Sequence, residues 1–171
     1  EALVAELRRQ ITRQYGKEPL KNRNYGKIIN EKHFDRINSL IDPAKTVCGG
    51  GSNRETLQIE PTVLDNVTFE DPVMQQEIFG PVLPVLTYDS LGGAVTKINS
   101  MAHPLALYIF TEDEKMPGKL LPDVVSAVAV STMSSYIWQP AIWASAALVK
   151  AAWDPIMAST ASGHSLIIRV L

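Results

Sequence analysis

The chain has 171 residues, which is enough for one domain with a sizeable core, and it begins at Glu1. A formal net charge of -2 and an isoelectric point near 5.9 exclude the basic footprint expected of a nucleic-acid-binding protein. The first residues contain no basic segment followed by an apolar run and a cleavage site, so no signal peptide is predicted. The single cysteine, Cys48, excludes an internal disulfide and fits a reducing compartment, so we expect a cytoplasmic protein.

Three helices are predicted along the chain. The first has about four turns, because its apolar residues recur at helical spacing and Gly16 then stops it. A second helix is predicted over residues 31–40, and a short third helix over residues 91–98. The apolar stripe of the first helix consists of Leu3, Val4, Leu7, Ile11 and Tyr15.

Four strands are predicted between and after these helices. They cover residues 46–48, 59–64, 82–87 and 105–111. The third helix lies between the last two strands, and the order strand, helix, strand favours parallel pairing. We therefore expect an α/β fold in which those two strands belong to one sheet.

Several segments of the chain carry a family resemblance. They are Y-G-K-I-I-N at 25–30, H-F-D-R-I at 33–37, I-E-P-T-V-L at 59–64, Q-Q-E-I-F-G-P at 75–81 and P-L-A-L-Y-I-F at 104–110. In this order they resemble segments of class 3 aldehyde dehydrogenases, which are NAD(P)-dependent enzymes that oxidise aldehydes to acids. The resemblance implies a partial catalytic domain with a mainly parallel sheet and flanking helices. One departure is Gln76, where the family usually has glutamate.

The resemblance implies roles for two residues of the 75–81 segment. Glu77 matches the glutamate that holds the nicotinamide ribose through its hydroxyls, and Phe79 matches the phenylalanine that packs near the nicotinamide. A carboxylate can accept two hydrogen bonds from a vicinal diol, which makes the first role chemically reasonable. Without the family context, the alternative is a strand entry with Glu77 solvated and Phe79 in the core.

The resemblance also implies that the catalytic groups of the family lie before Glu1, and no residue of this chain is predicted to be catalytic. Cys48 lacks the T-C or G-Q-x-C context of the family's nucleophile, so we interpret it as a small apolar residue at a strand end. The complete enzyme is expected to bind NAD or NADP, to act on a small-molecule aldehyde and to form a homo-oligomer, by resemblance a homodimer.

Other candidate sites are weaker. The triple-glycine loop, Gly49 to Gly51, lacks G-x-G-x-x-G spacing and a following Lys-Ser/Thr pair, so a flexible loop is favoured over a phosphate site. Glu70 and Asp71 are expected to be solvated loop acids rather than acid–base partners of Glu77. No metal site is predicted, since the histidines are too scattered for metal-ligand spacing: His33, His103 and His164.

The composition changes abruptly at Ala127. The remaining segment contains one glycine and three charged residues, yet it contains all three tryptophans of the chain: Trp138, Trp143 and Trp153. Residues 124–149 carry no charge, which is typical of a membrane span. Gln139, Pro140 and scattered serines argue against a membrane helix.

Back-translation suggests a different origin for this tail. One inserted G after the Ser126 codon permits a continuation that ends in F-G-G-V-G-Q-S-G-M-G-S-Y-H-G-K-H-S-F, which resembles the C-terminal signature of class 3 aldehyde dehydrogenases. Our hypothesis is that a single G was lost near this codon, in the gene or in the sequence record. The predicted organisation is a partial catalytic domain over residues 1–126 and a frame-shifted tail over residues 127–171. That tail corresponds to the family's glycine-rich and oligomerisation segment.

Two classes of function remain open from the sequence. The first is a fragment of an NAD(P)-dependent aldehyde dehydrogenase that is inactive alone. The alternative is a non-enzymatic α/β remnant or a partner-binding module. A turnover assay with NAD(P) and an aldehyde on the isolated chain tests whether the chain alone has activity, and the missing nucleophile favours inactivity.

Overall fold

A computed structural model describes residues 2–102, 106–111, 113, 115, 116, 119, 121–123, 128–132 and 165–170. The chain divides into two compact units, Glu1–Thr87 and Tyr88–Leu171. The predictions for Trp138, Trp143 and Trp153, and for most of the uncharged stretch 124–149, lie outside the described residues. In the part of the chain that the structure describes, no helix is long and apolar enough to cross a membrane.

The first unit contains the first two predicted helices, α1 (Ala2–Tyr15) and α2 (Glu31–Asn38). Helix α1 ends where Gly16 adopts a φ of +86°, and the Gly16 N–H donates to the Thr12 carbonyl at 3.0 Å. Helix α2 begins after Asn30, whose side chain accepts a hydrogen bond from the His33 N–H at 2.9 Å. Both helices therefore start or stop at residues with a clear local signal.

The strands of the first unit form two small sheets. In the first sheet, β4 (Thr62–Leu64) pairs antiparallel with β1 (Thr46–Cys48) and parallel with β5 (Val82–Pro84). In the second sheet, β2 (Ser52–Asn53) and β3 (Gln58–Ile59) form an antiparallel pair. The strand predicted over residues 59–64 is thus divided between two sheets. Pro61 lies at the break, and a proline has no N–H with which to continue a ladder.

The core of the first unit lies between α2 and the two sheets. Helix α2 supplies Phe34 and Ile37, and Leu40 follows it. The strands and the loops after them supply the other buried members: Ile59, Leu64, Val67, Val73 and Val82. Each such side chain contributes roughly 1.5–3 kcal/mol when it leaves water, so this cluster fixes where α2 lies against the strands.

The second unit contains α3 (Leu91–Asn99) and a three-stranded sheet. Its central strand, β6 (Ala106–Thr111), pairs parallel with β7 (Val128–Thr132) and antiparallel with β8 (Ser165–Val170). The chain is therefore of the predicted α/β class, with one parallel and one antiparallel pairing in each three-stranded sheet.

The prediction that residues 82–87 and 105–111 share one sheet is wrong. Strand β5 belongs to the sheet of β1 and β4, and β6 belongs to the sheet of β7 and β8. The physical reason lies in α3, which buries Val95 and Ile98 with Ile109 of β6 inside the second unit. A helix between two strands favours parallel pairing only when both strands pack beneath it.

Candidate functional site

The 75–81 loop joins the single helical turn at Pro72–Met74 to β5 and carries both predicted cofactor residues. Glu77 is exposed, and 61% of the Phe79 surface is accessible. Phe79 has a φ of +46°, a left-handed conformation that costs energy for a bulky side chain. The alternative interpretation, in which Phe79 belongs to the core at a strand entry, is therefore wrong.

Arg36 of α2 anchors this loop from the protein side. Its Nη1 donates to the Gln76 side-chain oxygen at 2.9 Å and to the Glu77 carbonyl at 3.0 Å. Its Nη2 donates to the Ile78 carbonyl at 2.7 Å. A planar guanidinium can serve several acceptors at fixed angles, so one side chain fixes three successive residues of the loop.

The next residue of α2, Ile37, anchors the other end of the loop by packing. Ile37 is fully buried, and Gly80 lies so close to it that a Cβ at Gly80 would be 2.9 Å from the Ile37 side chain. Arg36 and Ile37 therefore place two successive residues of one helix against two ends of the same loop. The position of the loop is set by α2 and not by the loop sequence alone.

The loop anchored in this way is suited to presenting side chains. Two of its carbonyl groups are bonded to Arg36, whereas the Glu77 carboxylate has no hydrogen-bond or ion-pair partner among the described residues. A carboxylate held in solvent on a fixed backbone can accept a pair of hydrogen bonds from a ligand diol. The exposed ring of Phe79 provides apolar surface two residues further on.

The segment before this loop is fixed by Asp71. The Lys45 ammonium lies 2.5 Å from the Asp71 carboxylate, which also accepts a hydrogen bond from the Thr68 N–H at 2.7 Å. These two donors, the Lys45 ammonium first, hold the pKa of the Asp71 carboxyl below its usual range. The expectation of a solvated acid is therefore wrong for Asp71, which is partly shielded and paired, whereas Glu70 is exposed.

The triple-glycine loop is closed by its own contacts. The Gly50 N–H donates to the Thr62 hydroxyl at 3.0 Å, and the Gly51 N–H donates to the Glu60 carboxylate at 3.0 Å. A phosphate site needs such amides to point toward a ligand, and here they bind the chain itself. The loop is a packed connection beside the start of β4.

Cys48, at the end of β1, has the surroundings of a structural residue. Burial raises the pKa of its thiol, and the nearby Arg8 guanidinium offsets only part of that rise. A thiol with a raised pKa is largely protonated at neutral pH and is a poor nucleophile. This environment agrees with the interpretation of Cys48 as a small apolar residue at a strand end.

Of the three histidines, His33 is exposed in the first turn of α2, and His103 and His164 lie outside the described residues. Across the described part of the chain, no group of three His, Cys, Asp or Glu side chains is arranged to hold a metal ion.

Arg36 and Ile37 are the residues of the site that sequence reasoning missed. Arg36 lies 40 residues from Gln76 in the chain, and nothing in the local pattern connects the two. The available signal was the resemblance of the H-F-D-R-I segment to the same family as the 75–81 loop. Two segments of one family motif set are natural candidates for mutual contact.

Comparison with known proteins places this fold and loop in a family. The profile of the aldehyde dehydrogenase family matches residues 1–131. The chain belongs to the aldehyde dehydrogenase family. It is 40% identical over 124 residues to the dimeric NADP-preferring aldehyde dehydrogenase of Rattus norvegicus. The aligned region covers 72% of this chain and 27% of the rat protein. It is 44% identical over 124 residues to aldehyde dehydrogenase family 3 member B1 of Bos taurus, and this alignment covers 72% of this chain and 26% of the bovine protein.

Solved structures give the same result. Substrate-bound AldH of Staphylococcus aureus superposes with a TM-score of 0.70 at 36% identity, covering 74% of this chain and 28% of that one. The aldehyde dehydrogenase of Mycobacterium tuberculosis complexed with NAD+ gives a TM-score of 0.57 at 28% identity, and the superposition covers 70% of this chain and 26% of that one. These comparisons confirm the predicted resemblance to class 3 enzymes and the partial α/β domain. The chain spans just over a quarter of the length of each of these four proteins.

Proposed function

We propose that this chain is the C-terminal part of the catalytic domain of an NAD(P)-dependent aldehyde dehydrogenase, and that the 75–81 loop binds the nicotinamide end of the cofactor. The observation that carries the proposal is a pair of exposed side chains, Glu77 and Phe79, on a backbone that Arg36 anchors. One relative is named NADP-preferring and one related structure contains NAD+, which supports either cofactor.

The residues present fit the nicotinamide ribose. The bound dinucleotide would supply the hydride acceptor for aldehyde oxidation. Glu77 would accept hydrogen bonds from the two ribose hydroxyls, because its carboxylate is exposed and carries two acceptor oxygens. Phe79 would lie near the nicotinamide ring and reduce the access of water to it, since its ring is exposed on the same fixed loop.

The chain supplies no catalytic residue in this proposal. Nucleophile and general base would come from the rest of the enzyme, since Cys48 is in an environment that keeps its thiol protonated. The chain alone is therefore expected to be inactive. The complete enzyme would be a cytoplasmic homo-oligomer that acts on a small-molecule aldehyde, and the name of the rat relative supports a dimer.

The role of Glu77 can be tested in a segment-swapped enzyme, defined as the rat relative with the segment corresponding to residues 1–126 replaced by residues 1–126 of this chain. Glu77→Gln keeps the shape of the side chain and removes its charge. Hydrogen bonds to a charged group are worth about 1.5–3 kcal/mol each, so we expect hydride transfer to slow by roughly tenfold or more. Single-turnover kinetics with NADP and an aldehyde measure it, with Glu70→Gln, an exposed acid outside the loop, as the control.

Two results would contradict the proposal. One is a Glu77→Gln enzyme that binds NADP and transfers hydride like its parent. The other concerns the isolated chain, for which we expect no turnover and little cofactor binding. Micromolar NAD binding by the isolated chain, abolished by Glu77→Gln, would mean that the chain is a self-sufficient cofactor module. A folded segment-swapped enzyme that neither binds NADP nor transfers hydride would favour the non-enzymatic alternative.

We also propose that the chain has two parts, a partial catalytic domain over residues 1–126 and a tail over residues 127–171 in a shifted reading frame. The family match ends at residue 131, close to the proposed shift, which supports this division. The intact mass of the purified protein tests it, because the printed sequence corresponds to 18.8 kDa. Resequencing around codon 126 completes the test, and an unbroken frame that encodes the printed tail with unrelated codons would refute the shift.

A further inference from the structure

We propose that Arg36 is a positioning residue for the 75–81 loop, acting on the cofactor through Glu77. This inference rests on the proposed function of Glu77. Arg36 lies in α2, outside the loop, and binds Gln76, Glu77 and Ile78 with one guanidinium. No cofactor contact is assigned to Arg36 itself.

The bonded atoms explain why Arg36 controls orientation. The Glu77 and Ile78 carbonyl groups belong to the two peptide groups that link Glu77 to Phe79. When both peptide planes are fixed, the backbone around Glu77 and Phe79 is fixed, and so are the directions of their Cα–Cβ bonds. The third bond, to the Gln76 side chain, holds the residue before Glu77. The Arg36 guanidinium therefore binds each of the three residues that lead up to Phe79.

The local backbone needs such an anchor. Phe79 has a φ of +46°, a conformation that persists in a non-glycine residue only when the surroundings enforce it. Ile37 packs on Gly80 immediately after Phe79, and Arg36 holds the residue immediately before it. Arg36 and Ile37 therefore hold the chain on both sides of Phe79, and loss of the Arg36 bonds removes the support on the Ile78 side.

Loss of Arg36 is expected to loosen the loop without unfolding the unit. The bonds of Arg36 lie at a partly exposed site, so water can replace them at the loop carbonyls. The core beneath consists of apolar side chains that Arg36 does not contribute to. A misplaced Glu77 would still be present and charged but no longer aligned with a ribose diol.

The first test uses the 171-residue chain and needs no cofactor. Backbone ¹⁵N order parameters of residues 76–79 are expected to fall from about 0.85 to below about 0.6 in Arg36→Met, with the rest of α2 unchanged. Arg54→Met is the matched control, because Arg54 also binds α2, at Glu31 and Asp35, without contacting the loop. Gln76→Glu is the opposite variant, since a carboxylate facing Arg36 would strengthen the anchor. Unchanged order parameters in Arg36→Met would overturn the inference.

The second test measures whether Arg36 acts through Glu77. In the segment-swapped enzyme, Arg36→Lys keeps the charge but replaces the fork by a single ammonium, and hydride transfer is expected to slow by about tenfold. In a Glu77→Gln background, Arg36→Lys is expected to slow hydride transfer by less than a further factor of about two, because Glu77, through which Arg36 acts, is already replaced. Full additivity of the two changes would overturn the inference.

These tests separate the inference from the proposed function. If Glu77→Gln has no effect on hydride transfer, the proposed function fails, while the order parameters still decide whether Arg36 anchors the loop. If Glu77→Gln slows the reaction and Arg36→Lys does not, the proposed function stands and the inference fails. A purely structural role of Arg36 would lower the thermal stability of the unit without the coupling to Glu77.

Discussion

Two loops lie at the same end of the first sheet and are built in opposite ways. The triple-glycine loop follows β1, and the 75–81 loop precedes β5. The first donates its amide hydrogens to its own chain, to Thr62 and Glu60. The second is held through its carbonyl groups by Arg36, which leaves the side chains of Glu77 and Phe79 exposed.

The difference shows that glycine content alone does not indicate a binding loop. Gly49 of the triple-glycine loop is required because the Pro61 backbone passes where a Cβ would lie. A Cβ at Gly50 or Gly51 would instead meet side chains, those of Thr46 and Glu60. The 75–81 loop contains one glycine, at the point where it packs on Ile37, and its chemistry is in side chains. What matters for binding is which groups remain available after the internal contacts are made.

The largest expected effect on stability is that of Gly49→Ala in the triple-glycine loop, which is closed by its own hydrogen bonds and is called the closed loop below. Gly49 has a φ of +72°, and a Cβ there would be 2.2 Å from the carbonyl oxygen of Pro61. Backbone cannot move aside as a side-chain tip can, so we expect a loss of about 3 kcal/mol or more in the free energy of unfolding. Urea denaturation measures it. Gly26→Ala is the control, because nothing lies within 4 Å of that Cβ position. A loss below about 1 kcal/mol would contradict the closed packing.

A smaller effect on stability is expected from Gly80→Ala in the 75–81 loop, called the open loop below because its Glu77 and Phe79 side chains are exposed. The new methyl group would be 2.9 Å from the Ile37 side chain, which can shift in part, so we expect about 1–3 kcal/mol of destabilisation. Ile37→Val removes one of the clashing methyl groups. The double variant should therefore lose less stability than the sum of the single ones. Strict additivity in urea denaturation would show that Ile37 is not the residue that holds Gly80.

The helices and the exposed loop were predictable because their signals are local. Gly16 stops α1, Asn30 caps α2, and Ser90 caps α3 by accepting the Gly93 N–H at 3.1 Å. The family motif also identified Glu77 and Phe79, whose exposure the structure shows. Information of this kind lies within a few residues of the feature that it predicts.

Sheet membership and the loop anchor were not predictable in the same way. Strands β4 and β5 have only three residues each, and their pairing joins segments far apart in the chain. Arg36 reaches its loop partners from 40 or more residues away. Such contacts depend on how α2 packs on the core, which no local periodicity encodes.

A smaller effect again concerns the pH dependence of the segment before the open loop. The lowered pKa of Asp71 means that its contribution to stability is present above the unfolded-state value of about 3.9 and is lost as pH falls through the folded-state value. Asp71→Asn and Lys45→Met should both reduce the loss of stability between about pH 5 and pH 2. Urea midpoints across that range measure it. An acid transition in both variants that is as steep as in the parent would contradict the pairing.

The smallest expected effect concerns Cys48, beside the closed loop. It is the only cysteine of the chain, so a thiol reagent reports on it alone. Burial raises the pKa of its thiol and Arg8 lowers it, so reaction with a disulfide reagent should be slow at pH 7 and rise with pH, and Arg8→Met should slow it further. Cys48→Ser should leave hydride transfer in the segment-swapped enzyme essentially unchanged. A loss of about a thousandfold, the scale expected for a catalytic group, or rapid modification at pH 7 would instead place chemistry at the closed loop and reverse the contrast between the two loops.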